Sequence, residues 1–238
     1  MPRLLLPALL ATLGRAHGLD DETALLQTSS VSVAESCKCL NWKEAYGSSK
    51  VECGAGLELT DKELKTHPDN ELCHEVAEKP GLSFFLNADH GYCMIAEKVE
   101  GPQKKDYPGS WCYVDSSCQQ RNGGKAVNDA VSYKMCQDGA GETLGELPPR
   151  DLFALSERLF KQGAVSDSEK LTLMAYDWAG PPAAEGSLLD VKYDASAKPL
   201  IGAGRVEDVF VVVYKDEVWE VHDGPVGECK HGCSGKTS

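Results

Sequence analysis

Two cysteines and a histidine lie within five residues near the C-terminus, in Cys229-Lys230-His231-Gly232-Cys233. Two thiolates and an imidazole at this spacing can supply three metal ligands, and His222 or Asp223 can supply a fourth, as in a zinc site. The two cysteines can instead close a small disulfide loop, or each can bond a distant cysteine. Because thiols in an oxidising compartment are normally consumed as bridges, the pattern favours a disulfide over a metal site.

A cysteine nucleophile needs a free thiolate beside a histidine base. Cys73-His74 is the most suggestive pair, and His67 and His90 are the other histidines in this part of the chain. Neighbouring residues on a helix point in different directions, and a bridged sulfur cannot attack a substrate. The sequence therefore does not favour a Cys–His active site.

A secreted enzyme is an alternative hypothesis, with a site near His222, Asp223 and His231. Its basis is that a predicted hairpin ends at His222-Asp223-Gly224, and loops at strand ends often present functional side chains. The competing interpretation is a plain turn. The chain contains no nucleophile elbow, phosphate-binding loop, dinucleotide fingerprint, zinc-protease motif or calcium loop, so no cofactor is predicted.

Trp111 and Tyr113 flank Cys112 and form a candidate binding strip. Aromatic side chains beside a bridged cysteine can make a ligand patch, and such residues are enriched at interfaces. The alternative is that both rings pack over a disulfide as core. A module with few large side chains has to bury those that it has, which favours the core interpretation.

Cysteine is the strongest compositional signal, because eight of the ten cysteines fall within the hundred residues 37–136. An even number in an exported chain predicts a disulfide framework, whose connectivity the sequence does not determine. Cys37 and Cys39 are too close to bond each other without strain, so each is expected to bond a distant partner. The disulfide candidates are Cys37, Cys39, Cys53, Cys73, Cys93, Cys112, Cys118, Cys136, Cys229 and Cys233.

Residues 1–18 have the features of a signal peptide: an early Arg3, an apolar run over 4–13, and small residues before a cleavage site at Gly18. No other stretch is apolar enough to predict a membrane span. The formal net charge of −13 repels phosphate backbones, so nucleic-acid binding is not expected. The sequence thus predicts a secreted, extracellular protein.

The mature chain is expected to have four parts. Residues 19–36 are predicted to be a flexible leader, 37–136 a cysteine-rich disulfide module, and 137–146 a linker rich in glycine and alanine. Residues 147–238 are predicted to form an α+β domain with a cysteine-containing tail. The two folded parts would make this a chain of two small domains.

Helical periodicity in 147–238 predicts one helix after Pro149 and a second helix that leads to Trp178. One face of the first helix is predicted to carry Leu152, Leu155, Leu159 and Phe160. Alternating and β-branched residues then predict strands at 189–193, 206–214 and 218–222, the last two as a hairpin. In the cysteine-rich module, 83–86 is predicted to be a short strand.

A recognisable pattern occurs in five segments of the chain. They are Cys37–Trp42, Cys53–Gly56, Gly109–Cys118, Asn122–Gly124 and Val131–Cys136. This pattern resembles an uncharacterised cysteine-rich module of predicted secreted dinoflagellate proteins, and the resemblance covers about residues 20–160. It implies no established activity. In such algae a signal peptide can also begin import into a complex plastid, which makes that compartment, or another part of the secretory pathway, the alternative location.

The sequence therefore predicts an α+β chain: a disulfide-rich, loop-dominated module, followed by a helical hairpin and an antiparallel sheet. The leading functional hypothesis is a non-enzymatic extracellular recognition or structural protein, with a protein or glycan ligand of unknown identity. The alternatives are the enzyme with a site near His222 and the metal-binding tail of Cys229, His231 and Cys233.

Overall fold

A computed structural model describes residues 35–59, 72–73, 83–96, 108–161, 168–179, 198–203, 209–222 and 224–233. The predicted signal peptide, most of the predicted leader, the predicted strand at 189–193 and Asp223 lie outside these residues. The described part is a disulfide-rich, mixed α+β structure, as predicted, and it contains short helices, two sheets and five disulfides.

The described helices are short except for one. They are α1 (Trp42–Gly47), α2 (Phe84–Asn87), a 3₁₀ turn (Leu144–Glu146), α3 (Pro149–Lys161) and α4 (Ser168–Leu173). The described strands are β1 (Met94–Ile95), β2 (Ser110–Asp115), β3 (Val131–Met135), β4 (Asp177–Trp178), β5 (Leu200–Ala203), β6 (Phe210–Tyr214), β7 (Glu217–Val221) and β8 (Gly227–His231).

The strands form two sheets. The first has the order β1-β2-β3 and is antiparallel, with Trp111 of β2 opposite both Met94 and Met135. The second has the order β4-β5-β6-β7-β8. Its pairs are antiparallel except β4–β5, which is parallel, with Trp178 opposite Ile201. The predicted hairpin is present as β6 and β7.

Helix α3 follows from local sequence chemistry. Pro149 occupies its first turn, where a missing N–H costs no intrahelical bond, and Asp151 lies at the positive end of the helix dipole. Leu152 and Leu159 are buried as predicted, but the prediction that Phe160 shares their face is wrong, because Phe160 is 46% exposed. Phe160 is rotated by roughly 100° from Leu159, and this turns its side chain off the buried face.

Two other expectations about local structure are corrected. Residues Phe84–Asn87 form helix α2 and not a strand. An apolar run of three residues has no distinguishing period, and burial of Phe84 and Phe85 in the core decides its conformation. Trp178 lies in β4 and not in the second helix, which ends at Leu173.

All ten cysteines are paired. The bridges join Cys37 to Cys118, Cys39 to Cys112, Cys53 to Cys73, Cys93 to Cys136 and Cys229 to Cys233. Cys37 and Cys39 thus bond distant partners. Bridges of this kind stabilise small proteins by about 2–4 kcal/mol each, chiefly by restricting the unfolded chain.

The segment 137–146 takes part in the packed structure. The Cys93 N–H donates to the Glu142 carbonyl at 2.8 Å, and the Leu144 N–H donates to the Cys93 carbonyl at 3.0 Å. Leu144 is fully buried in a core cluster that includes side chains from both sheets. Glu146 closes a capping box with Thr143 at the start of the 3₁₀ turn. These contacts join the two parts of the chain that flank the segment.

Candidate functional site

A buried carboxylate, Glu58, lies at the centre of the cysteine-rich module. Its Oε1 accepts the Tyr46 hydroxyl at 2.8 Å and the Tyr113 hydroxyl at 2.5 Å, and its Oε2 accepts the Gly56 N–H at 2.9 Å. The residue is only 2% exposed. These three hydrogen-bond donors replace the water molecules that an exposed carboxylate would bind. Glu58 therefore has the hydrogen-bond partners that burial requires, and its role is structural.

The two tyrosines at this centre remain protonated at neutral pH. Burial raises the pKa of Tyr46 and of Tyr113 well above the ordinary value, and the neighbouring Glu58 carboxylate adds to the effect. A phenol that keeps its proton is a permanent donor to the carboxylate. The arrangement therefore holds the segment around Glu58 against α1 and β2.

The predicted aromatic strip lies inside this core. Trp111 is 0% exposed and Tyr113 is 1% exposed. Their rings meet edge to face at 5.0 Å, and Trp111 meets Trp42 in the same way at 4.9 Å. A Cβ on Gly56 would lie 2.7 Å from the Trp111 ring, so the backbone covers that ring directly. A ligand reaches neither side chain without displacing this cover.

The C-terminal cluster is arranged differently from a metal site. Cys229 is bonded to Cys233, and His231 is exposed. His222 Nε2 lies 3.4 Å from Glu220 Oε2. In the β7–β8 pair, His231 lies opposite Val218 while His222 follows Val221, which is paired with Gly227. The strand register therefore places His222 and His231 at opposite ends of the pair and does not bring them together.

The other cysteine–histidine candidates are also separated. Cys73 is bonded to Cys53, and its neighbour His74 lies outside the described residues, as does His67. His90 is described and buried, and its Nδ1 accepts the Tyr92 N–H at 3.2 Å. Burial is the main cause that lowers the pKa of His90 to about 3, and the positive charge of Arg158 adds to it.

A groove runs along one face of α3, with a volume of about 430 Å³. We call it the α3 groove. It is lined by Tyr92, Leu147, Asp151, Ala154, Leu155 and Arg158. The helical spacing places Asp151, Ala154 or Leu155, and Arg158 on one stripe, with the backbone positions of Asp151 and Arg158 about 10 Å apart along the helix axis. The groove thus has an apolar middle, an acid at one end and a guanidinium at the other.

The wall of the α3 groove opposite the helix is held in place by several contacts. The Trp42 indole N–H donates to the Tyr92 carbonyl at 2.8 Å, and the Asn41 amide donates to the Asp89 carboxylate at 2.8 Å. The Cys93–Cys136 bridge then anchors the residue that follows Tyr92. A wall fixed in this way loses little conformational entropy when a ligand binds.

Four further sulfur atoms lie close together. The Sγ atoms of Cys39, Cys93, Cys112 and Cys136 all lie within 4.8 Å of one another. Cys93 and Cys112 are completely buried. The cluster consists of two bridges in contact, with Cys39 and Cys93 Sγ 3.3 Å apart and Cys112 and Cys136 Sγ 3.9 Å apart.

Sequence reasoning missed the Glu58 centre, the α3 groove and the four-sulfur cluster. Each joins residues that are distant in the chain, and none follows a known spacing. The one available signal for the groove was the helical spacing of Asp151, Leu155 and Arg158, which marks a single helix face.

The fold and these sites define a disulfide-stapled α+β protein. Among the residues that the structure describes, no helix combines the length and the apolar composition needed to cross a bilayer. No family model, no curated protein and no solved structure matches the chain.

Proposed function

We propose that this chain is a secreted recognition protein that binds an extended protein segment in the α3 groove. The observation that carries the proposal is the groove itself, in which Asp151 and Arg158 flank an apolar middle opposite Tyr92. Ligand sites typically combine apolar lining with a few placed polar groups. A structural role in a surface or matrix is the other form of the same non-enzymatic hypothesis.

The charges favour an acidic ligand segment. Arg158 is exposed, and its guanidinium can hold a carboxylate through two parallel hydrogen bonds. An apolar ligand side chain would then lie over Leu147 and Leu155, and a donor would meet Asp151. On a chain with a net charge of −13, Arg158 is a local cation that gives such a ligand a preferred orientation.

Export is part of the proposal. The five disulfides are consistent with an oxidising compartment, and the predicted signal peptide at 1–18 supplies the route. The resemblance to dinoflagellate proteins keeps a complex plastid as the alternative destination.

A peptide-display library tests the groove. We expect the protein to select peptides that share an acidic residue next to an apolar one. The Arg158→Ala and Ala154→Trp variants should bind these peptides at least about tenfold more weakly, because the first removes the guanidinium that holds the ligand carboxylate and the second fills the groove. Fluorescence anisotropy of a labelled selected peptide measures the loss.

Lys161→Ala is the matched control, because Lys161 lies on the same helix and is exposed outside the groove. It should leave peptide affinity unchanged. The proposal fails if no peptide is selected, or if Lys161→Ala and Arg158→Ala weaken binding equally. Binding to a glycan array that depends on Tyr92 and Arg158 would instead assign the groove to a carbohydrate ligand.

A further inference from the structure

We propose that Cys39, Cys93, Cys112 and Cys136 bind one Zn²⁺ ion when their two bridges are reduced. The four residues bring their sulfur atoms within 4.8 Å of one another from four separate segments of the chain. Two of the four are completely buried, so the cluster is largely shielded from water. Four cysteine sulfurs in one shielded cluster are a typical structural zinc site. The inference does not depend on the α3 groove.

The spacing between the bridges already suits the metal. Four thiolates at about 2.3 Å from a tetrahedral Zn²⁺ lie about 3.8 Å from each other. Across the bridges, the Cys39–Cys93 separation is 3.3 Å and the Cys112–Cys136 separation is 3.9 Å. After reduction the two bonded pairs have to separate and the Cys39–Cys93 pair has to widen slightly, while the remaining pairs already lie within 4.8 Å. Rotation of cysteine side chains can provide these movements.

The four cysteines, or their chain neighbours, are also held by backbone hydrogen bonds. Cys112 lies within the β2–β3 ladder, opposite Lys134. The Cys136 N–H donates to the Ser110 carbonyl at 2.8 Å, and the Cys93 N–H donates to the Glu142 carbonyl at 2.8 Å. Cys39 is followed by Leu40, whose N–H donates to the Tyr113 carbonyl at 2.8 Å. In the oxidised structure, backbone hydrogen bonds thus position these cysteines, or their chain neighbours, in addition to the sulfur–sulfur bonds.

A buried lysine, Lys134, lies beside the proposed metal site. Four thiolates and one Zn²⁺ ion make a dianion, which is costly to bury without compensation. Lys134 is 6% exposed, and because it lies directly opposite Cys112 in an antiparallel pair, its side chain is on the same face of the sheet. Its ammonium group also forms an ion pair with Glu142.

The disulfide and metal states exclude each other. Two molecules of a dithiol reductant give the two bridges four electrons and four protons, and are themselves oxidised to two disulfides. Binding of Zn²⁺ then displaces the four thiol protons into solvent. Reaction of the loaded site with two molecules of a disulfide oxidant and four protons would re-form the two bridges, give two molecules of the dithiol and release the ion. The same four cysteines would therefore form either two disulfides or one Zn²⁺ site, depending on the redox conditions.

The other cysteines offer a contrast within the same chain. Within the described residues, which include all ten cysteines, the four named here are the group whose sulfurs converge. The bridges Cys37–Cys118, Cys53–Cys73 and Cys229–Cys233 lie outside that group. Each of these pairs would offer two thiols after reduction, which is fewer than a structural zinc site uses.

Titration of the reduced protein tests the proposal. The starting protein should have an intact mass ten hydrogens below that of the reduced chain. After treatment with a phosphine reductant under anaerobic conditions, Co²⁺ is added as a spectroscopic probe and then displaced by Zn²⁺. We expect one Co²⁺ per chain with the absorption of a tetrahedral tetrathiolate complex, and no uptake by the oxidised protein.

Two double variants locate the site. Cys39→Ser with Cys136→Ser should weaken Zn²⁺ binding on the order of 100-fold or more, because two ligands are lost. Cys53→Ser with Cys73→Ser should bind as tightly as the unmodified sequence. Equal loss in both variants, or a Co²⁺ spectrum without tetrathiolate character, would overturn the proposal.

Loss of structure on reduction does not remove the test. If the reduced chain loses its near-ultraviolet circular dichroism, one equivalent of Zn²⁺ should restore it, because metal binding and folding are coupled. Restoration should fail in the Cys39 and Cys136 double variant and succeed in the Cys53 and Cys73 variant. Failure of Zn²⁺ either to bind or to restore structure in the unmodified chain would refute the site.

Discussion

At the scale of single residues, the described structure is marked by buried polar groups. Glu58 is buried with three donors, and Tyr46 and Tyr113 keep their protons. His90 is the opposite case, because it is buried as a neutral ring and its Nε2 has no partner within the described residues. Of these groups, His90 makes the free energy of unfolding depend on pH in mild acid.

His90 predicts a loss of stability in mild acid. Its pKa is about 3 in the folded protein and about 6.5 in the unfolded chain, so the unfolded state binds the proton first. Stability should therefore be complete above pH 6.5 and fall as the pH decreases toward 3, by up to roughly 1.4 kcal/mol per pH unit. Urea unfolding with the disulfides intact, measured between pH 7 and pH 5, follows this fall.

The contribution of His90 is isolated by comparison with two variants. In His90→Asn the side-chain oxygen can still accept the Tyr92 N–H, but no ring titrates, so the slope between pH 7 and pH 5 should become flatter. His222→Gln, at an exposed histidine, should keep the original slope. An unchanged slope in His90→Asn would contradict the assignment of this pH dependence to His90.

At the scale of elements, α3 packs on the second sheet through a glycine. A Cβ on Gly227, the first residue of β8, would lie 2.3 Å from the Phe153 ring of α3. Phe153 in turn packs against Trp219 of β7, with ring centres 5.4 Å apart. The absence of a side chain at Gly227 therefore sets the distance between the helix and the sheet.

Gly227→Ala is expected to destabilise the protein by about 1–3 kcal/mol, because the added methyl group forces the Phe153 ring out of its place. Chemical unfolding monitored by tryptophan fluorescence measures the change. Gly47→Ala is the control, since a Cβ at Gly47 has no neighbour within 4 Å. Its effect should be within about 1 kcal/mol. Equal effects of the two substitutions would disprove the close-packing argument.

Local sequence patterns correctly predicted those helices and strands whose conformation depends mainly on the residues within them. The periodic helix after Pro149 and the β-branched hairpin of β6 and β7 are both present. The short run at 83–86 was predicted as a strand, and the sequence carried no period that could identify it as a helix. The Glu58 centre and the disulfide connectivity depend on contacts over tens of residues, which no local spacing encodes.

At the scale of the whole molecule, the core continues from one sheet to the other. The Ile95 N–H donates to the Met174 carbonyl at 2.9 Å, and the Tyr176 hydroxyl donates to the Leu147 carbonyl at 2.8 Å. Trp111 and Trp219, from the two sheets, belong to the same core cluster. The sequence predicts two domains separated at 137–146. A calorimetric measurement tests whether these two parts unfold together or independently.

The continuous core predicts one cooperative unfolding transition. Differential scanning calorimetry of the oxidised protein should give a single peak, with equal calorimetric and van't Hoff enthalpies. The chain has four tryptophans, in α1, β2, β4 and β7, so fluorescence reports on both sheets and should follow the same curve. Two separated peaks would mean that the two parts unfold independently and that 137–146 is only a connection.

The position of β8 has a consequence for how the protein behaves at high concentration. β8 is an outer strand of the second sheet, and an outer strand offers unpaired backbone groups to another copy of the chain. The Cys229–Cys233 bridge closes a short loop on this strand, and Glu228 and Lys230 place charges along it. A charged and looped strand is a poor template for edge-to-edge association, so we expect this strand to resist pairing with another copy of the chain.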